Sequence, residues 1–181
     1  EGVERKCHLI TNGYDADDYN DGPDANDKFT ITFMGKIYRD MYPRQLLEAL
    51  EDLVREGRID EKEVILRCIG PLDVDSHEQF KKERLGSLVE TTGYVDHADC
   101  IKLMQASHLL LLQLREGEMS RVIYTAKMFE YFGARRPILA LVGEGSTAEL
   151  IRKCNAGVVV NPADREGIKR EVLRFYSRYK A

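Results

Sequence analysis

The segment TAKMFEYFGARRPILA, residues 125–140, joins a helix-forming stretch directly to the start of an apolar strand. A second apolar run, HLLLLQL at 108–114, precedes it, so the pattern predicts a strand, a helix and another strand in succession. Lys127 and Glu130 are three residues apart and are therefore expected on one face of the opening helical turns. This unit of strand, helix and strand is the element from which parallel α/β sheets are built.

The same segment also has the chemistry of an anion site. A helix N-terminus carries unpaired N–H groups and partial positive charge, which together attract phosphate. Lys127 there can hold a diphosphate, and Glu130 one turn further on can accept hydrogen bonds from sugar hydroxyls. A surface ion pair between the two side chains is the simpler alternative.

Strand and helix signals alternate from residue 28 to the end of the chain. The predicted strands are 29–34, 63–69, 87–92, 108–114, 138–142 and 157–160. Helices are predicted at 43–56, 76–85, 96–106, after 125, at 146–154 and at the C-terminal end. Regular alternation implies right-handed crossovers and a buried parallel sheet. We therefore predict an α/β, doubly wound, Rossmann-like domain with helices on both faces and six parallel strands in the order 3-2-1-4-5-6.

Some helix starts carry capping signals. Ser76 with Gln79, and Ser146 with Glu149, match the capping-box pattern, and Asp96 is placed to cap the helix that follows it. Each of these residues is predicted to satisfy free N–H groups at a helix start.

Composition narrows the class of protein. The 181 residues suggest one main domain, and a net charge of −4 argues against a general nucleic-acid binder. No apolar run approaches the roughly 20 residues that a membrane-spanning helix needs. The four cysteines, with no Cys-x-x-Cys pair, favour reduced thiols in a cytoplasmic protein over a disulfide or zinc framework. They are Cys7, Cys68, Cys100 and Cys154.

Residues 1–27 are predicted to form an acidic linker segment ahead of the Rossmann-like domain at 28–181. Aspartates are dense between Asp15 and Asp27, which favours a solvated segment. A calcium loop does not fit, because Tyr19 falls where an oxygen ligand is needed before Gly22.

The predicted site lies where the strand order reverses, beyond the carboxyl ends of the first and fourth strands. The loop after the first strand contains Gly35, Lys36 and Arg39. Glycine allows a phosphate to approach the backbone and cations compensate its charge, although an ordinary turn with surface cations explains the loop equally well. The pattern is neither a Walker loop nor the Gly-x-Gly-x-x-Gly of a dinucleotide site.

Neighbouring loops complete the candidate set. Ser120, and Thr125 at the helix start, offer hydroxyl and N–H groups to a phosphate. Gly93 and Val95 offer backbone groups to a base, while Tyr94 would either stack on that base or pack half-buried. No metal ligands are assigned.

These motifs together resemble the C-terminal domain of group 1 (family 4) glycosyltransferases, which have the GT-B fold. The helix pattern is Lys-x-Phe-Glu-Tyr-Phe-Gly-Ala-Arg-Arg-Pro-Ile-Leu at 127–139. The segments 10–15, 29–36 and 92–95 resemble the inter-lobe linker, the first strand with its glycine turn, and the loop beside the nucleobase. Many members carry a further glutamate eight residues before Glu130, where this chain has Val122.

The resemblance implies an enzyme of the hexosyltransferase type, of which this chain is the donor-binding C-terminal half. Lys127 and Lys36 would be catalytic through the leaving diphosphate, and Glu130 would hold the ribose. The partners implied are a nucleoside-diphosphate sugar and a saccharide or lipid-linked acceptor, the acceptor being bound by an N-terminal domain absent here. No cofactor or metal is expected, and no nucleic acid partner.

The expected setting is polysaccharide biosynthesis in the cytoplasm, with room for a peripheral association with the membrane in the full-length enzyme. Two alternatives stay open from the sequence. One is a domain of a nucleotide-sugar epimerase, and the other is a noncatalytic nucleotide-binding or regulatory module, which Val122 would suit.

Overall fold

A six-stranded parallel sheet forms the centre of the molecule. The computed structural model describes residues 8, 10–20, 22–38, 41–114 and 121–181. The strands lie in the order β3-β2-β1-β4-β5-β6, which confirms the predicted doubly wound topology. They are β1 (Phe29–Met34), β2 (Val64–Ile69), β3 (Val89–Gly93), β4 (Leu109–Gln113), β5 (Ile138–Leu141) and β6 (Gly157–Val160).

Helices cover both faces of this sheet. Those described are α1 (Arg44–Arg55), α2 (Val74–Lys82), α3 (His97–Gln105), α4 (Ala126–Ala134), α5 (Ser146–Lys153) and α6 (Arg165–Lys180). One apolar core joins α1, α2 and α6 to the sheet, and a second core joins α3, α4 and α5 to it. All five residues of β4 are buried, as expected for a central parallel strand covered on both sides.

The helix starts agree only in part with the capping signals. Asp96 does cap α3, since its side chain accepts a hydrogen bond from the N–H of Asp99 at 2.9 Å. The capping box at Ser76 is wrong. α2 begins earlier, at Val74, so Asp73 is its N-cap and the Asp73 carboxylate accepts from the N–H of Ser76 at 2.8 Å.

The second capping box is also wrong. Ser146 is the first residue of α5, and the N-cap is Gly145, which makes no side-chain hydrogen bond. A side chain at Gly145 would lie 2.4 Å from the carbonyl oxygen of Arg121. The close approach of that backbone therefore selects glycine over a hydroxyl residue at the cap.

Strands β1 and β4 separate at the carboxyl edge of the sheet. Their pairing covers Ile31 with Leu109 and Thr32 with Leu110. Beyond it, the hydroxyl of the fully buried Tyr131 accepts from the N–H of Met34 at 2.9 Å and donates to the carbonyl of Leu111 at 3.0 Å. A side chain of α4 thus joins the two diverging strands at the switch point.

The contact between α1 and α6 is rich in paired charges. Arg165 contacts Asp52 at 2.6 Å and Glu48 at 3.0 Å, and Lys169 contacts Glu56 at 2.6 Å. The Asp52 side chain is only 9% exposed, and its hydrogen bond from Arg165 lowers the pKa of that carboxyl. Each cation here has a carboxylate partner.

Candidate functional site

Three glycines mark the carboxyl ends of β1, β2 and β3. Gly35, Gly70 and Gly93 have φ angles of 122°, 124° and 67°. The N–H of Gly35 donates to Ile69 at 2.8 Å, and that of Gly70 donates to Gly93 at 3.0 Å. A Cβ on Gly70 would lie 2.8 Å from the Gly35 carbonyl oxygen. Glycine therefore lets three turns meet closely at this edge, leaving backbone groups accessible.

Lys127 lies at this edge, in the first turn of α4. Its ammonium is 3.8 Å from the centroid of the Phe33 ring, and it would be 3.3 Å from a side chain at Gly35. Among the described residues it has no carboxylate within ion-pair distance, so the alternative of a surface ion pair with Glu130 is wrong. Burial lowers the pKa of Lys127 to about 8.

The start of α4 leaves further polar groups available. Thr125 is the N-cap, and its buried hydroxyl makes no hydrogen bond with any described residue. The first N–H groups of a helix also lack intrahelical acceptors. The N-terminus of α4 and Lys127 thus place unpaired donors and a cation beside Gly35.

The remaining residues predicted for the site differ in how exposed they are. Lys36 is exposed, with its ammonium 4.7 Å from the centroid of the Tyr38 ring. Tyr94 is 86% exposed, so the alternative of a half-buried packing aromatic is wrong, whereas Val95 packs partly buried against the core. Arg39 and Ser120 lie outside the described residues.

Glu130 lies one turn after Lys127 and is engaged by two residues that the sequence did not assign to the site. The hydroxyl of Tyr19 donates to its Oε2, and Nε2 of His97 lies 3.2 Å from the same oxygen. Its other oxygen makes no hydrogen bond with a described residue. Asp18 lies on the far side of the imidazole, 3.8 Å from Nδ1.

Tyr19 belongs to the acidic segment, yet it is only 7% exposed. Burial and the carboxylate of Glu130 both raise the pKa of its hydroxyl, which therefore remains a proton donor. Its ring lies over Gly133, where an added Cβ would approach ring carbons at 2.5 Å. A glycine inside a helix is costly, so Gly133 was the available signal that another side chain crosses α4 there.

Two further properties bear on the site. None of the helices in the described ranges is long and apolar enough to cross a bilayer. The same ranges contain no group of three or more His, Cys, Asp or Glu side chains arranged to hold a metal ion.

Comparison with known proteins identifies the family. Residues 28–178 match the family model described as glycosyl transferases group 1, and the chain belongs to this family. No curated protein sequence matches the chain.

Solved structures agree with this assignment in fold. Sucrose-phosphate synthase from Thermosynechococcus elongatus superposes with a TM-score of 0.68 at 14% identity, covering 96% of this chain and 44% of that one. Anabaena HepE in complex with UDP and glucose gives 0.67 at 15%, covering 96% and 48%. WaaG, a glycosyltransferase involved in lipopolysaccharide biosynthesis, gives 0.63 at 20%, covering 83% and 38%. The chain spans less than half the length of each of these structures.

Proposed function

We propose that this domain binds the nucleoside-diphosphate sugar of a glycosyltransferase that acts without a metal ion. The observation that carries the proposal is Lys127, a half-buried cation without a carboxylate partner among the described residues, at a helix N-terminus beside Gly35. Desolvating an ammonium without a counter-charge is unfavourable, and a bound diphosphate would supply that charge.

The diphosphate would lie between the turn at Gly35 and the start of α4. Lys127 and the N–H groups of that helix would stabilise charge developing on the leaving diphosphate, and the exposed Lys36 would add a second cation. Thr125 would donate its unpaired buried hydroxyl to a phosphate oxygen. Arg39 and Ser120 are proposed as additional donors to the same group.

The nucleoside would extend from the diphosphate toward Glu130 and the end of β3. Tyr19 and His97 both contact Oε2 of Glu130, which leaves Oε1 to accept from ribose hydroxyls. Backbone groups of Gly93 and Val95 would contact the base edge, and the exposed ring of Tyr94 would stack on the base.

The complete enzyme would transfer the sugar to a saccharide or lipid-linked acceptor bound by a separate N-terminal domain. We propose a role in polysaccharide biosynthesis in the cytoplasm, with the full-length enzyme able to associate peripherally with the membrane. Since HepE was solved with UDP and glucose, uridine diphosphate is the first donor nucleotide to test.

Calorimetric titration with uridine, guanosine and adenosine diphosphates tests donor binding. At least one should bind, and an excess of chelator should leave its affinity unchanged, because the cations proposed to hold the diphosphate belong to the protein. The matching nucleoside without phosphates serves as the control and should bind far more weakly. Strict dependence on magnesium or manganese would contradict the metal-free site, and failure of every diphosphate to bind would contradict donor binding.

Transfer itself requires the full-length enzyme. Incubating that enzyme with nucleotide-sugars and a cell-envelope glycan extract should give a glycosylated acceptor. The 181-residue chain alone should give none, because positioning of the acceptor supplies much of the rate. Robust transfer by the isolated chain would show that the acceptor site is already present within it.

A further inference from the structure

A second charged site lies at the opposite edge of the sheet from the strand-end glycines. A cavity of about 770 Å³ opens where β5 and β6 begin, and Pro137 and Gly157 line it. Four of its lining residues are arginines, and none of them is an aspartate or glutamate. We name it the arginine groove, and its arginines are Arg135, Arg136, Arg174 and Arg178.

The concentration of charge is unusual for this chain, whose net charge is −4. Between α1 and α6, by contrast, the cations are paired with carboxylates. In the arginine groove only Arg174 has an ion-pair partner among the described residues, namely Glu171 at 2.8 Å. Like charges gathered in one cavity repel one another unless an anion binds among them.

Three of the four guanidinium groups contact neighbouring groups. Arg174 and Arg178 lie 4.6 Å and 5.9 Å from the centroid of the Phe175 ring. Nε of Arg136 donates to the carbonyl of Gln105 at 2.5 Å. These contacts orient the side chains while leaving other N–H groups open to a ligand, because each guanidinium carries five donors.

Two residues that line the groove have a left-handed backbone conformation although neither is a glycine. Arg135 ends α4 with a φ angle of 55°, in the left-handed conformation that helices normally give to glycine. Asn155, with a φ angle of 49°, is the other non-glycine residue of this kind in the described ranges, and it lines the same cavity. An arginine at Arg135 thus strains the backbone and adds a cation to the groove.

We propose that the arginine groove is a second binding site, separate from the donor site, for a phosphate-bearing ligand. Planar guanidinium groups match phosphate oxygens in a bidentate geometry. Four arginines line this cavity, and among the described residues only Arg174 has a carboxylate partner. A phospholipid headgroup and a soluble phosphorylated molecule share this chemistry, and the experiment separates them.

The test uses Lys127→Met, which removes the central cation of the donor site, as the background. Inorganic pyrophosphate is titrated into this variant by calorimetry, and vesicles of phosphatidylglycerol or phosphatidylcholine are sedimented with it. We expect binding to pyrophosphate, to the anionic vesicles, or to both. Adding Arg135→Gln and Arg178→Gln should weaken that binding by roughly tenfold or more.

A matched control carries Arg58→Gln and Lys82→Gln, which remove two exposed positive charges elsewhere, and should bind like the background. Circular dichroism verifies that the groove substitutions leave the fold intact. Placed in the protein that retains Lys127, the same substitutions should leave the affinity for uridine diphosphate unchanged, which verifies that the donor site is intact. Vesicle binding alone would identify a headgroup as the ligand, and pyrophosphate binding alone a soluble phosphate. Absence of both, or equal loss in the control, would overturn the proposal.

Discussion

The cations between α1 and α6 differ from the cation at the start of α4 in whether they have carboxylate partners. Arg165 and Lys169 each contact carboxylates at 2.6 to 3.0 Å, so their charges are neutralised within the fold. Lys127 is half-buried beside an aromatic ring and has no such partner among the described residues. The paired cations thus contribute to folding, whereas the unpaired and partly desolvated Lys127 is the charge for which we propose a ligand as partner.

Replacing Lys127 should give the largest change in ligand affinity. Lys127→Met keeps the apolar stem and removes the ammonium, so affinity for uridine diphosphate should fall by about one to two decades, the worth of a charge-assisted phosphate contact of roughly 1.5–3 kcal/mol. Calorimetry measures the affinity, and thermal unfolding should show no loss of stability because no ion pair is broken.

The control for this variant is Lys62→Met, at an exposed lysine remote from the site, which should bind like the parent. A Lys127→Met protein with normal affinity for uridine diphosphate but a melting temperature well below that of the parent would contradict the proposed binding role. Lys127 would then be a structural cation.

Asp52→Asn, in the contact between α1 and α6, should lower stability rather than ligand affinity. The amide cannot pair with Arg165, and because that arginine is 44% exposed we expect a loss of only about 1–2 kcal/mol in the free energy of unfolding. Denaturant unfolding measures this loss, and nucleotide affinity should be unchanged.

Glu78→Gln is the matched control for Asp52, since it breaks an exposed ion pair with Lys81 at 3.3 Å. It should cost no more than about 0.5 kcal/mol. Equal costs for the two variants would mean that the α1–α6 pairing contributes no more than a surface pair.

The pH dependence of binding should distinguish Lys127 from an ordinary lysine. With a pKa of about 8 rather than 10.5, the free protein loses this proton as the pH rises above neutrality. Since the ammonium form binds phosphate, affinity should fall by up to about tenfold per unit above that pKa. Titrations across this range should show the fall in the parent and not in Lys127→Met.

Stability should change in the other direction with pH. Between the two pKa values the unfolded chain holds a proton that the folded chain has released, so this lysine makes the fold more stable as the pH rises. The difference in unfolding free energy between the parent and Lys127→Met isolates this contribution. A difference that is flat across that pH window would contradict the lowered pKa.

Tyr19→Phe should give the smallest effect, and one that is selective. Loss of the hydroxyl removes one of the two donors to Oε2 of Glu130, so uridine diphosphate should bind about threefold to tenfold more weakly. Inorganic pyrophosphate, which has no ribose, should bind as it does to the parent. Calorimetry with both ligands measures the difference.

Two further variants control for the change in Tyr19. Tyr14→Phe alters the neighbouring ring, whose centroid is 5.4 Å away, and should be neutral. Gly133→Ala should reproduce the selective loss, because its methyl group would displace the Tyr19 ring without altering Glu130. Tighter nucleotide binding by Tyr19→Phe would instead mean that the tyrosine competes with the ligand.

Most of the fold could be predicted from local patterns. Apolar runs closed by glycine, as at Gly35 and Gly70, located the strand ends. The alternation with helices indicated a parallel sheet, and the number of strands favoured the doubly wound order that the structure has. The same logic placed Lys127 near Gly35, because carboxyl ends of neighbouring parallel strands meet at one edge. Capping was less predictable. Asp73 is a local capping signal that competes with the one at Ser76, whereas Gly145 is favoured by crowding against Arg121, which the local sequence does not show.

The surroundings of Glu130 could not be predicted in this way. Tyr19 contacts it across 111 positions in the chain, and no periodic pattern links the two residues. His97 lies exposed at the start of α3, where no sequence pattern assigns it to a site, yet its imidazole also contacts Glu130. Residue type and spacing thus predicted that Lys127 and Glu130 lie in successive turns of one helix, while the side chains that contact Glu130 depend on tertiary packing.

The hydroxyl of Tyr131 has a consequence for how the site can move. Because it bonds to the backbone of both β1 and β4, α4 is fastened to the sheet at the point where those strands diverge. Any rotation of α4 would break two hydrogen bonds at a fully buried oxygen, which is unfavourable. Lys127 and Glu130 are therefore held in fixed positions relative to Gly35, and any closure around a ligand has to come from parts of the protein other than α4.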